Sequence, residues 1–126
     1  MGKLILIIDD DGDFADAMST LLESSGYRVD YASSGEQGFE MAERLSPDLI
    51  LLDVMMTTKT EGFDLSRKLT AEESTKKIPV ILVTGIRRDL NIPYSFEPDE
   101  EWLPVKAVIE KPIRPETLLK TVAEHI

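Results

Sequence analysis

The 126-residue chain has no cysteine and a single histidine, and these two shortages exclude much chemistry at once. Without cysteine the chain can have no disulfide bond, no thiolate zinc site and no thiol nucleophile. His125, the only histidine, is the penultimate residue, so histidine-based catalytic triads and multi-histidine metal sites are nearly excluded. Any reactive site must therefore be built mainly from carboxylates, hydroxyls and amines.

Long apolar runs and excess positive charge are also missing. No stretch approaches the ~20 apolar residues of a membrane helix, and the short run 4–8 passes straight into acidic residues without a signal-peptide cleavage site. With 24 acidic and 14 basic residues, the net charge is −10. Because nucleic-acid surfaces need clustered lysine and arginine, we expect no nucleic-acid and no membrane partner. The charge suits a hard cation or a basic partner, and we expect a soluble, cytoplasmic protein.

Short apolar segments alternate with amphipathic ones along the whole chain. Strands are predicted near residues 4–8, 27–32, 49–52, 79–83 and 107–109. Helices are predicted from Phe14 to about Gly26, from Ser34 to Leu45, near Phe63–Leu69, and onward from Pro115. Strand–helix alternation with short connections predicts one α/β domain over residues 1–126. Its sheet should be mostly parallel and covered by helices on both faces.

Polar residues follow the predicted strands at their carboxyl ends. Asp9, Asp10 and Asp11 follow the first strand, and the later strands are followed by Asp53, Thr84 and Lys111. Ligands of an open parallel sheet bind outside these ends, so we expect the polar residues to converge at one edge. Carboxylates ~4 Å apart repel by about 4 kcal/mol per pair at an effective dielectric of ~20, which favours a bound divalent cation.

The chemistry of this set is that of a phosphoryl acceptor. Oxygen ligands without histidine or cysteine favour Mg²⁺ or a similar hard ion. Lys111 could neutralise an incoming oxyanion, and Thr84 could supply a hydroxyl hydrogen bond. A carboxylate, a metal, a lysine and a hydroxyl are the parts needed to accept a phosphoryl group on Asp53.

Four motifs in this order make the sequence similar to the receiver domain of response regulators in two-component signalling, a CheY-like domain. The motifs are Ile7-Ile8-Asp9-Asp10-Asp11, residues 48–56 around Asp53, Val83-Thr84-Gly85, and Glu110-Lys111-Pro112. The similarity runs from about Lys3 to the C-terminus. It implies a doubly wound, flavodoxin-like sheet of five parallel strands in the order 2-1-3-4-5, in a single receiver domain without an output domain.

The resemblance also implies a role for each matching residue. Asp53 would be the phosphoacceptor, and Thr84 and Lys111 would contact the phosphoryl group. Mg²⁺ would be held by four groups: Asp9, Asp10, Asp53 and the backbone carbonyl of Met55. The donor would be a phosphohistidine of a histidine kinase or a histidine phosphotransfer protein. Such a stand-alone receiver docks to a downstream protein or relays phosphate onward, and it is no enzyme beyond its own phosphotransfer and autodephosphorylation.

Three features depart from the family pattern. Thr57 stands where the family usually has proline, which bears on the dephosphorylation rate and the choice of kinase. Val108 occupies the aromatic switch position, and valine cannot swing between buried and exposed rotamers as tyrosine does. The spacing from Thr84 to Lys111 is longer than in typical receivers. We therefore expect the fourth helix of the family to be shortened or replaced by a loop within residues 85–105.

Two other functions stay open from the sequence. A receiver-like interaction module that signals without phosphate is motivated by Val108 and the altered loops. A gain in thermal stability with Mg²⁺ would distinguish a working acidic pocket from such a module. An aspartate-nucleophile phosphatase of the haloacid-dehalogenase kind is less favoured. That class needs a second aspartate two residues after its nucleophile, where Met55 stands.

Overall fold

A computed structural model describes residues 2–53, 61–84, 107–110 and 113–126, with the backbone alone at residues 53, 61–64, 66, 84, 108 and 110. Strands and helices alternate through these ranges. In chain order they are β1 (Leu4–Ile8), α1 (Gly12–Ser24), β2 (Arg28–Ala32), α2 (Gly35–Leu45), β3 (Leu49–Asp53), α3 (Glu61–Ala71), β4 (Val80–Thr84), β5 (Ala107–Glu110) and α4 (Pro115–His125).

The five strands form one parallel sheet in the order β2-β1-β3-β4-β5, which confirms the predicted topology. The three strands inside the sheet, β1, β3 and β4, each begin with at least four consecutive apolar residues, and both of their faces are covered. The edge strand β2 instead alternates exposed and half-buried residues up to the buried Ala32. The hydrophobic pattern therefore separates central strands from this edge strand.

Helices cover both faces of the sheet, as expected, and each face has its own core. Along β1, Leu6 and Ile8 pack with residues of α2 and α3, whereas Ile5 and Ile7 pack with residues of α1 and α4. This division follows from strand geometry, because successive side chains point to opposite faces. None of these four side chains is exposed to solvent.

The helix ends follow the signals in the sequence. Gly26, just beyond α1, has a positive φ of 97°, a conformation that favours glycine. The Oγ of Ser34 accepts a hydrogen bond from the Gln37 N–H at 3.1 Å, as in a capping box. The Gln37 carboxamide accepts from the N–H of Ser33 at 2.9 Å, one residue before the expected donor. Pro115 begins α4, where its missing N–H costs nothing.

One helix is longer than its sequence pattern indicates. The pattern predicted α3 near Phe63–Leu69, but the helix extends over Glu61–Ala71. A turn after the helix is secured by Thr75, whose buried hydroxyl donates to the carbonyl of Leu69. The segment 85–105, in which we expect the fourth helix of the family to be shortened or replaced by a loop, lies outside the described residues. Within the described ranges, no helix is long and apolar enough to cross a bilayer.

Candidate functional site

The carboxyl ends of β1, β3, β4 and β5 lie side by side at one edge of the sheet. In the β1–β3 pair Ile8 is opposite Leu52, so Asp9 and Asp53 are the next residues of adjacent strands. Asp53 in turn pairs with Val83 of β4, one residue before Thr84. Neighbouring strands are ~4.8 Å apart. The backbones that carry these three polar residues are therefore brought together as the sequence predicted.

Asp9 is a fully buried carboxylate at the end of β1, with no exposed surface. Its N–H donates to the carbonyl of Ala32 at 3.0 Å, which continues the β1–β2 ladder one residue beyond the strand. Its Oδ1 accepts from the N–H of Asp11 at 2.8 Å, and this contact turns the chain out of the sheet. Burial of a carboxylate is costly unless charge or hydrogen bonds compensate it, and the Asp11 N–H supplies part of this compensation.

The three consecutive aspartates have three different structural roles. Asp11 is the N-cap of α1, because its Oδ1 accepts from the N–H of Phe14 at 3.2 Å. Asp10, between them, is exposed and forms no hydrogen bond with the described part of the chain. Asp9 makes the turn, Asp11 starts the helix, and Asp10 keeps its carboxylate available to a ligand.

The remaining predicted site residues are described only in part. The backbones of Asp53 and Thr84 lie at the ends of β3 and β4. Glu110, the last residue of β5, pairs with Thr84, so the chain continues towards Lys111 from the same edge. Lys111 itself and Met55 lie outside the described residues, as does Thr57.

Tyr31 lies at this edge of the sheet, although nothing in the amino-acid sequence predicts that it is near the aspartates. Burial raises the pKa of its phenol above the ordinary value, and four carboxylates raise it further: those of Asp9, Asp10, Asp11 and Asp16. The tyrosine is the penultimate residue of β2, and only the pairing of β2 with β1 brings it beside the aspartates. The four carboxylates named here therefore surround the tyrosine with negative charge at this end of β2.

The donor set of this edge fits a hard cation. Asp9 and Asp10 could provide carboxylate oxygens, which Mg²⁺ prefers. The carboxylates of Asp9, Asp10, Asp11 and Asp16 near Tyr31 would repel one another less with a cation among them. Within the described side chains, no group of three or more histidine, cysteine, aspartate or glutamate residues could by itself hold a metal. A complete shell would therefore need further oxygens, and Asp53 is the adjacent residue that can provide one.

Contacts at both ends of β1 fix its position and hence that of Asp9. At the start of the strand, the Asp48 carboxylate accepts from the Leu4 N–H at 2.8 Å, and the Asp48 N–H donates to the Leu4 carbonyl at 2.8 Å. At its end, Gly38 of α2 packs against Ile8 so closely that an added Cβ would lie 2.5 Å from Ile8 Cδ1. Both ends of the strand are thus held by neighbouring segments.

Comparison with known proteins gives a consistent family match. A model of the response regulator receiver domain matches residues 5–123. The protein PilH of Pseudomonas aeruginosa is 35% identical over 121 residues, which cover 94% of this chain and 93% of PilH. The polar-differentiation response regulator DivK of Brucella ovis is 28% identical over 129 residues, covering 100% of this chain and 98% of DivK.

Other relatives are longer than this chain. The DNA-binding dual master transcriptional regulator RpaA of Synechocystis is 44% identical over 82 residues, but the match covers only 34% of RpaA. The chain therefore spans about a third of that relative.

Solved structures agree with the fold. A CheY-like response regulator receiver domain from Methanospirillum hungatei has a TM-score of 0.79 at 28% identity, covering 98% of this chain and 93% of the other. The receiver domain of a sensor histidine kinase from Pseudomonas aeruginosa, crystallised with a magnesium ion coordinated in its active site cleft, has a TM-score of 0.81 at 24% identity, covering 99% of this chain and 98% of the other.

Proposed function

This chain belongs to the response regulator receiver domain family, and on that premise we propose that it is a signalling switch that accepts a phosphoryl group on Asp53. One observation carries the proposal. The pairing of Ile8 with Leu52 makes Asp53 the neighbour of Asp9, a carboxylate without exposed surface at the same edge of the sheet. An acceptor beside a buried anion at a sheet edge is the arrangement that cation-assisted phosphoryl transfer needs.

The proposed step is a transfer between two nucleophiles. A carboxylate oxygen of Asp53 attacks the phosphorus of a phosphohistidine on a partner protein, and a P–O bond forms as the P–N bond breaks. The electron pair of the broken bond stays on the imidazole nitrogen, which takes a proton. The product is an aspartyl phosphate, whose later attack by water at phosphorus returns the free carboxylate and inorganic phosphate.

The other residues of the edge bind, orient and compensate charge. Asp9 and Asp10, with Asp53 and the backbone carbonyl of Met55, would hold Mg²⁺. The bound cation would neutralise charge on the phosphoryl oxygens. Asp9 is held in position by its contacts with Ala32 and Asp11, so it needs no rearrangement to serve as a ligand.

Two further residues would bind the phosphoryl group itself. We propose that the Thr84 hydroxyl donates a hydrogen bond to a phosphoryl oxygen and that the Lys111 ammonium neutralises its charge. The backbone of Thr84 ends β4 at this edge, and Lys111 follows Glu110, the last residue of β5, in the sequence. The donor would be a histidine kinase or a histidine phosphotransfer protein. The chain would act in the cytoplasm as a stand-alone receiver, by docking to a target or by relaying phosphate onward, and not as a turnover enzyme.

Labelling by a small radioactive phosphodonor tests this proposal directly. The wild-type chain and an Asp30→Asn control should both acquire a label that survives acid and is lost in alkali. Asp30 is an exposed aspartate of β2, so its replacement changes the net charge as Asp53→Asn does. The Asp53→Asn variant should remain unlabelled. Equal labelling of that variant and the control would show that Asp53 is not the acceptor.

A further inference from the structure

A groove between α2 and α3 has no part in the proposed phosphotransfer. It has a volume of about 350 Å³ and opens to solvent. Its apolar base contains the half-buried Phe39 and the buried Leu65. Its charged wall contains Glu36, Glu40, Glu43 and Lys68. We call this surface the α2–α3 groove.

The three glutamates form a line of uncompensated negative charge along α2. Glu40 follows Glu36 by four residues and precedes Glu43 by three, so the carboxylates share one helix face over ~10 Å. All three are exposed, and none forms an ion pair with a described residue. Arg44, one turn beyond Glu40, is not paired with it. Like charges at this spacing destabilise a helix, and an external cation would remove that repulsion.

One cation of the chain, the Lys68 ammonium, already occupies part of this surface. The Lys68 ammonium lies 4.2 Å from the centroid of the Phe39 ring, a cation–π contact. Lys68 is exposed, and cation–π contacts are weak at exposed sites, so an incoming side chain can displace it. Glu43 is oriented by the Ser74 hydroxyl, which donates to its Oε2 at 3.0 Å without neutralising its charge.

We propose that the α2–α3 groove docks a basic amphipathic helix of a partner protein. An apolar side chain of that helix would cover Phe39 and Leu65, while lysine or arginine side chains one turn apart would lie against the glutamates. The negative wall disfavours nucleic acid and anionic membranes, which would bring further negative charge. The residues that line the groove lie together in the chain without a phosphoryl group, so docking should not require phosphorylation of Asp53.

A designed peptide tests the proposal with the full chain. The probe is a fluorescein-labelled peptide as long as α2, with leucines on one helical face and lysines spaced like the three glutamates. A scrambled peptide of the same composition is its control. We expect the ordered peptide to bind about tenfold more tightly than the scrambled one in fluorescence anisotropy. Backbone amide shifts in NMR spectra should map to α2 and α3.

Charge reversal separates the groove from the general acidity of the chain. The double substitution Glu40→Lys and Glu43→Lys should weaken peptide binding at least about tenfold. The matched control, Glu23→Lys with Glu124→Lys, changes the net charge equally on exposed positions of α1 and α4, which cover the other face of the sheet. This control should change binding by less than about twofold. Lys68→Gln should tighten binding, because it removes the competing cation.

Three results would overturn the proposal. They are equal weakening by both double variants, peptide-induced shifts on α1 and α4, or self-association of the chain through this groove in place of peptide binding. Labelling of Asp53 should proceed normally when Glu40 and Glu43 are reversed. This measurement confirms that the variant is folded and keeps a failure of docking distinct from a failure of phosphotransfer.

Discussion

Replacement of Gly38 by alanine should destabilise the fold, although alanine is the better helix former. An added Cβ would lie 2.5, 2.7 and 2.9 Å from Cδ1, Cγ1 and Cγ2 of Ile8. Real Cβ atoms do not approach heavy atoms this closely, so α2 or β1 must move. Ile8 has no exposed surface and packs in the core between the sheet and α2 and α3, so it has no free space to enter.

The magnitude follows from two opposing terms. Overpacking of a filled core costs ~1–3 kcal/mol, and contact with three atoms of one buried side chain places Gly38→Ala in the upper part of that range. The gain in helix propensity returns ~0.5–1 kcal/mol. We therefore expect the free energy of unfolding to fall by about 1–2 kcal/mol, measured by urea denaturation monitored by circular dichroism.

Two further variants identify the contact. Gly12→Ala in α1 is the matched control, because its added Cβ has no heavy atom within 4 Å, so this variant should be at least as stable as the wild type. Ile8→Val removes the nearest atom, so adding it to Gly38→Ala should cost less than adding it to the wild type. If Gly38→Ala is as stable as the wild type, the close packing of α2 on β1 is refuted.

Three other predictions concern single side chains. Asp48→Ala should lower the free energy of unfolding by ~1–3 kcal/mol in urea, because the Leu4 N–H loses its acceptor; Asp48→Asn should lose less. Thr75→Val should cost ~1–2 kcal/mol by the same measurement, because it removes the donor to the Leu69 carbonyl, and Thr75→Ser should restore most of it. The pKa of Tyr31 is raised by burial and nearby carboxylates, so the folded chain keeps the phenol proton at a pH where the unfolded chain loses it. Stability should fall as pH rises above ~10, and an equal fall in Tyr31→Phe would contradict this account.

The proposed site lies at a sheet edge where Asp9 follows β1, Asp53 ends β3 and Thr84 ends β4. Its stability and its chemistry are linked, because the elements that place Asp9 also complete the core. Ile8, the residue before it, is held by Gly38, and β1 begins at the hydrogen bonds of Asp48 with Leu4. Substitutions at these supports should therefore weaken Mg²⁺ binding as well as folding, without touching a ligand.

The family and the topology were predictable from the sequence for a definite reason. Each buried strand is a short apolar run that is followed by a polar residue. Both the strands and the polar residues at their carboxyl ends can therefore be recognised in the amino-acid sequence. The resemblance to receiver domains, which rested on four such strand ends, is confirmed by the match over residues 5–123. The roles assigned to Asp53, Thr84 and Lys111 stay predictions, as does the fate of the segment within 85–105.

The features that the sequence could not show depend on which residues become neighbours when strands pair in the sheet or helices pack together. The run Asp9–Asp11 reads as one acidic cluster, but its members diverge into a turn residue, an exposed carboxylate and a helix cap. Tyr31 joins the site because β2 pairs with β1.

The shortage of cysteine and histidine and the placement of aspartates thus determined by themselves which chemistry this chain can support. Local periodicity located its strands to within about one residue at each end. Only the tertiary structure decided which carboxylate is buried, which is exposed, and which helix faces form the α2–α3 groove. The physical reason is that burial and electrostatic neighbourhood are properties of surfaces brought together by folding, and no local pattern records them.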